Sequence, residues 1–308
     1  MVIPSQYTFV WPGSNAKGDP MNTGLREKVV LVTGAQHGIG AATARAFALE
    51  GAAVFLHYFR TRINVGRTDK PEAPGLDLFL QRQSMPADAV VQEICASGGH
   101  AAAWECDLAQ PDNVPLLFEK AEAALGPVEV LVNNAAYWED DSFLLPEIQP
   151  ANPFVEAWKD RPRPLTPESH DRHFAVNTRA VALLMAEYFR RHVARGAAWG
   201  RIINISTEGA HCFPGEISYG ASKAAMEAYT RSAACEFAKF GITANIVAPG
   251  ATQTGWITPE LEQRVLPTIP AGRLGTPQDL ADAIVLLASE QARWITGQLL
   301  NLGGGSRM

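Results

Sequence analysis

Cysteine is scarce in this chain of 308 residues. Only Cys95, Cys106, Cys212 and Cys235 occur, none in a C-x-x-C pair and none beside a histidine-rich stretch. That excludes the spacing of a zinc site or a disulfide framework and points to a reducing compartment with no metal centre. A basic excess is missing too. Lys and Arg number 26 against 32 Asp and Glu, a net charge of −6, which gives no footing for a nucleic-acid partner or an anionic membrane surface. No apolar run approaches the ~18 residues of a membrane-crossing helix. The N-terminal stretch has no basic start and is broken by Pro4 and Pro12, unlike a signal peptide. The expectation is a soluble, cytoplasmic protein with residues 1–24 as a surface-laid or disordered arm.

With 47% apolar and 19% charged residues, the chain can bury one large core, and no shift of composition divides it. A single domain over 25–308 is expected. Short β-rich runs at about 28–33, 53–58, 101–106, 128–133, 201–206, 242–248 and 298–302 alternate with helix-patterned stretches. This alternation predicts an α/β fold of the Rossmann type, a doubly wound parallel sheet of about seven strands with helices on both faces. Ligands of such sheets bind beyond the carboxyl ends of the strands, where Thr33, Asp107, Asn133, Ser206 and Pro249 fall. Two insertions interrupt the alternation, at about 61–86 and 138–170. The second carries six prolines and the aromatic residues Trp138, Phe143, Phe154 and Trp158, suited to line a pocket or to anchor the loop.

Two motifs carry chemistry. The run Lys28-Val-Val-Leu-Val-Thr-Gly-Ala-Gln-His-Gly-Ile-Gly40 leads into the helix-forming Ala41–Glu50. Strand, glycine turn and helix in that order make a phosphate cradle, because glycine backbone and unpaired helix N–H groups approach a pyrophosphate. Far downstream, Tyr219 and Lys223 stand four apart in Ser218-Tyr-Gly-Ala-Ser-Lys-Ala-Ala-Met226. On a helix they share one face. An ammonium beside a phenol favours the phenolate and brings the group toward a working range for proton transfer.

The spacing Thr33-Gly34-x-x-x-Gly38-Ile39-Gly40, together with Tyr219-x-x-x-Lys223, resembles the short-chain dehydrogenase/reductase family over about residues 25–305. The resemblance implies an NAD(P)-dependent oxidoreductase acting on a ketone or a secondary alcohol, with a homo-dimer or homo-tetramer as its assembly. It gives Tyr219 the role of acid/base, Lys223 that of lowering its pKa and bonding the nicotinamide ribose, and Asn177 that of holding a water behind Lys223. Cofactor contacts are implied for Gly34, His37, Gly38, Ile39, Gly40, Tyr58, Arg60, Arg62, Asp107, Leu108, Asn133, Ala135, Pro249, Gly250, Thr252 and Thr254. The carbonyl-polarising hydroxyl has two candidates. Ser206 stands the family's thirteen residues before Tyr219, whereas Thr207 occupies the family's place in the strand; strand register is the firmer guide and favours Thr207. At the end of the second strand, Val54-Phe-Leu-His-Tyr-Phe-Arg-Thr-Arg62 holds no acid for a ribose 2′-hydroxyl and two arginines for a 2′-phosphate, so NADP(H) is expected over NAD(H). Chains of this look resemble 3-oxoacyl-carrier-protein reductases, the first substrate expectation. A sugar or polyol dehydrogenase is the alternative within enzymes, and a non-catalytic nicotinamide-binding regulator the alternative outside them.

Overall fold

A run such as Val29–Thr33, four apolar residues before the terminal Thr33, has no polar face to turn to water, so it is stable only as a central strand covered on both sides. The computed structural model, which describes residues 22–60, 73–145, 147–148 and 163–306, places it there. Seven strands form one parallel sheet in the order β3-β2-β1-β4-β5-β6-β7. They are β1 (Val29–Thr33), β2 (Ala53–Tyr58), β3 (His100–Glu105), β4 (Val130–Asn133), β5 (Gly200–Ile205), β6 (Ile242–Pro249) and β7 (Leu299–Leu302). Val30 pairs with Val54 on one side and Val130 on the other. The strand order reverses between β1 and β4, the crevice where such sheets take ligands.

Among the described residues the helices are α1 (Gly38–Leu49), α2 (Leu76–Ser84), α3 (Asp88–Ala96), α4 (Asn113–Leu125), α5 (Pro167–Phe174), α6 (Val181–Ala194), α7 (Ile217–Phe237), α8 (Pro259–Val265) and α9 (Pro277–Ala288). One apolar layer packs α1, α3 and α9 on the sheet through Phe47, Ile94, Leu280 and Ile284. The opposite layer packs α4, α6 and α7 through Phe118, Leu184, Met226 and Phe237. No described helix is long and apolar enough to cross a membrane.

The strands and the two-layer cover agree with the expectation to within two residues. Three details differ. The body begins before residue 25, since the Thr23 hydroxyl donates to Glu50 and the Thr23 carbonyl accepts from Glu290 N–H. The first insertion is not irregular throughout: its proline-free stretch forms α2, just ahead of Pro86. The second insertion ends inside α5, where Pro167 occupies the first helical position and Thr166 and Ser169 cap each other reciprocally. Phe154 and Trp158 lie outside the described residues, as does Arg62.

Candidate active site

The catalytic candidates converge at the carboxyl ends of β4 and β5. Tyr219 and Lys223 lie in the first two turns of α7, and the start of that helix is fixed from a distance. Asp141, wholly buried in the second insertion, accepts from Ser218 N–H at 2.9 Å and from the Ser169 hydroxyl of α5 at 3.0 Å. A carboxylate at a helix N-terminus satisfies open N–H groups and complements the helix dipole. Tyr219 is half-buried between the rings of His173 and Phe213, at 6.3 and 6.1 Å between centroids. Burial, reinforced by the nearby Glu216 carboxyl, pushes its phenol above its ordinary range. Its hydroxyl has no hydrogen-bond partner among the described residues.

Lys223 is buried and donates from Nζ to the Ile205 carbonyl at 2.7 Å, with Nζ 5.8 Å from the Tyr219 ring centre. Burial lowers its pKa to about 8, against the pull of Glu227 one turn further along α7. The ammonium therefore stays charged at neutral pH. Glu227 is occupied on its other side, accepting from the Ser206 hydroxyl at 2.6 Å and pairing with Arg231 at 3.1 Å. Ser206 is thus tied to α7. Thr207, half-buried, begins a short 3-10 turn, its hydroxyl accepting from Gly209 N–H at 3.2 Å. The two neighbouring hydroxyls therefore have different partners just beyond the end of β5.

Asn177 lies in a π-helical stretch, Ala175–Ala180, between α5 and α6; such widened turns recur at functional sites. Its side chain bonds the Tyr137 carbonyl, the Tyr137 N–H and the Ser222 hydroxyl at 2.8 to 3.0 Å. Both of its amide protons are taken by these contacts. Above this floor, Trp138 donates to buried Glu216 at 2.6 Å and its ring lies 6.4 Å from that of Trp256. Burial raises the Glu216 pKa to about 7.

At the other end of the crevice stands the glycine turn. Gly34 and Gly38 have φ of 64° and 57°, conformations that favour glycine. A Cβ on Gly40 would collide with the Gly34 carbonyl and approach the Asn134 amide within 2.6 Å, so the helix sits directly on the turn. The N-terminus of α1 has no side-chain cap and no acid in its first turn. His37 Nδ1 and Gln36 Oε1 are buried without partners, and burial followed by the charge of Arg82 lowers the His37 pKa to about 4. Uncapped helix N–H groups, a neutral imidazole and no acid in the first turn of α1 fit a dinucleotide pyrophosphate.

The remaining candidates divide. Ala135 N–H donates to Thr33 Oγ1 beside the turn, and Thr254 touches the space over Gly38. Asp107 accepts from Ala109 N–H, while Leu108 is buried. Gly250 closes against Gly303, and the Thr252 hydroxyl is spent on the Gly250 carbonyl. Asn133 is directed inward to Asn204 at 2.7 Å, so only its main chain can reach the crevice. Tyr58 is half-buried. Arg60 is held by Glu105, with nitrogen to oxygen distances from 2.7 to 3.0 Å. Sequence reasoning marked the run Asn133-Asn134-Ala135 but gave Asn134 no role; its amide bonds the Thr33 and Gly34 carbonyls at 2.9 Å. It missed His57, which accepts from Gly34 N–H and donates to the Cys106 carbonyl.

Comparison with known proteins agrees with this geometry. Residues 28–67 match the family described as short chain dehydrogenase, and residues 68–307 the one described as enoyl-(acyl carrier protein) reductase. The chain is 35% identical over 283 residues to an uncharacterized oxidoreductase of Bacillus subtilis, covering 91% of this chain and 97% of that one. It is 33% identical to a 3-oxoacyl-[acyl-carrier-protein] reductase of Synechocystis, covering 93% and 99%. Among solved structures, a blue fluorescent protein from a metagenomic library, in complex with NADPH, superposes with a TM-score of 0.73 at 30% identity, covering 92% and 99%. With its glycine turn, its Tyr219 and Lys223 on one helix and matches along nearly its whole length, the chain belongs to the short-chain dehydrogenase/reductase family of oxidoreductases.

Proposed function

We propose that this oxidoreductase reduces a ketone, or oxidises the matching secondary alcohol, with NADP(H) preferred over NAD(H), and that a 3-oxoacyl thioester is its first substrate candidate. The observation that carries the reading is the free Tyr219 hydroxyl beside the buried, charged Lys223. A nicotinamide, when bound, would supply the hydride. Tyr219 donates its phenolic proton to the developing alkoxide, and Lys223 stabilises the phenolate left behind. Thr207, whose hydroxyl is free of the Glu227 contact that holds Ser206, polarises the carbonyl. Asn177 holds Tyr137 against Ser222 and so fixes the floor of the pocket.

The NADP preference is supported by the basic end of β2 and by the NADPH bound to the metagenomic relative. The Arg60–Glu105 pair lies in solvent, where salt screens it, so a 2′-phosphate competes with Glu105 for the guanidinium. A sugar or polyol dehydrogenase is the second reading, favoured by the buried Glu216 carboxyl beside Tyr219, an acceptor suited to substrate hydroxyls. The exposed Ala221, Ala228 and Tyr229 on α7 leave a face open for a homo-oligomer, and four free thiols suit the cytoplasm. The test is NADPH consumption across a panel of 3-oxoacyl thioesters, simple ketones and keto-sugars. Turnover with the thioesters supports the first reading, turnover with keto-sugars alone the second, and none with any carbonyl removes both.

A further inference from the structure

The first insertion returns to the glycine turn. Phe79 of α2 meets the His37 ring edge-on at 5.4 Å. Gly75 N–H, just before α2, donates to the Gly255 carbonyl at 2.8 Å, and Arg82 Nη1 in its last turn donates to the Thr254 carbonyl at 3.0 Å. Gly255 has a φ of 111°, and a Cβ there would come within 2.6 Å of Arg82 Nη1, so a side chain at 255 would evict the guanidinium. Thr254 in turn lies against Gly38, where a Cβ would be 3.4 Å from its side chain. The inserted helix is therefore lashed to both loops that border the phosphate cradle.

The charge arrangement is the telling part. Arg82 is exposed, makes one hydrogen bond and has no carboxylate partner among the described residues. It stands near the positive end of α1, which has neither an acid nor a cap of its own. Two positive sources brought together, with no carboxylate paired to either among the described residues, repel unless a ligand supplies an anion. A guanidinium has four further N–H donors in a fork that matches phosphate oxygens.

Building on the nicotinamide-dinucleotide reading above, we propose that Arg82 is a ligand for the diphosphate of the dinucleotide and that α2 forms the outer wall of its site. The diphosphate would then be held by the N–H groups of α1 and by the Arg82 guanidinium together. Arg60, at the end of β2, is left to serve the adenosine end.

The test is equilibrium binding, by calorimetry, of NADPH, NADH, ADP and adenosine 2′,5′-bisphosphate to wild type, Arg82→Gln and Arg82→Lys, with the Tm of each protein as a check on folding. The last ligand carries the 2′-phosphate with a single 5′-phosphate in place of the diphosphate. Arg82→Gln should weaken NADPH, NADH and ADP by a similar factor of about ten or more, weaken adenosine 2′,5′-bisphosphate less and flatten the salt dependence of binding. Arg82→Lys, keeping a charge without the fork, should fall between. Unchanged affinities in Arg82→Gln with a lowered Tm would overturn the proposal and reduce Arg82 to a loop staple. A loss confined to NADPH and adenosine 2′,5′-bisphosphate would overturn it by placing the residue at the 2′-phosphate. Failure of the wild type to bind any dinucleotide would instead sink the cofactor reading itself.

Discussion

The two ends of the crevice are built differently. At the catalytic end Asn177, Ser222, Lys223, Ser206 and Asp141 spend their polar atoms on one another, on main chain or on the side chains of Glu227 and Ser169, and the Tyr219 hydroxyl is left without a partner among the described residues. At the nucleotide end Asn134 and His57 are bonded, but among the described residues Gln36 Oε1 and His37 Nδ1 are buried without partners, α1 has no side-chain cap and Arg82 has no carboxylate partner. Satisfied networks hold geometry in advance, which suits a proton donor that must be placed before substrate arrives. Unsatisfied groups carry a cost that a ligand removes. The comparison separates residues that should matter to the chemical step from residues that should matter to cofactor affinity.

The sharpest break is expected from Tyr219→Phe. Losing a general acid costs typically ~10²–10⁴ in rate, and kcat should fall by that much in stopped-flow NADPH oxidation while the Kd for NADPH holds. A comparable loss of cofactor affinity would erase the boundary between the two ends. Next, Thr207→Val should lower kcat by about 10²–10³ if its hydroxyl polarises the carbonyl. Ser206→Ala should act on stability instead, because buried Glu227 loses its donor, a change of about 1–3 kcal/mol read from Tm. Exchange of these two phenotypes would mean that the count back from Tyr219 is the better guide.

That contest shows what was legible in the sequence. Strands announced themselves by apolar β-branched runs, and Tyr219 and Lys223 by their spacing, because both signals are local. Ser206 and Thr207 were readable as a pair, but choosing between them needed Glu227, twenty-one positions away. Asp141 and Glu216 were invisible for the same reason: the Asp141 cap on α7 spans seventy-seven positions. Proline density around α2 masked a helix of nine residues, and with it Arg82.

Glu216 gives a smaller effect with a definite sign. Its pKa is raised to about 7 from the usual carboxylate value of 4.5, so between those values the folded state binds more protons than the unfolded one. Its contribution to stability is full below pH 4.5 and is lost as pH rises through 7. Glu216→Gln, fixed neutral, should therefore gain Tm relative to wild type as pH climbs across that window. Removing the charge also lets the Tyr219 phenol fall toward its ordinary range, moving the basic limb of the kcat/KM profile to lower pH. A limb that stays in place would show that burial alone sets the phenol. Smallest of all, Thr166→Ala removes the cap of α5 at about 1 kcal/mol. It should lower Tm by a few degrees and raise KM more than it lowers kcat, since α5 carries His173 against the pocket.

The difference between the ends is read most directly by amide hydrogen exchange of the wild type with and without saturating NADPH. The account expects new protection at residues 34–41, 75–84 and 250–258, where groups wait for a ligand, and little change at 137–142 and 217–223, which are already tied together. Protection spread evenly over both ends, or confined to the catalytic one, would contradict it.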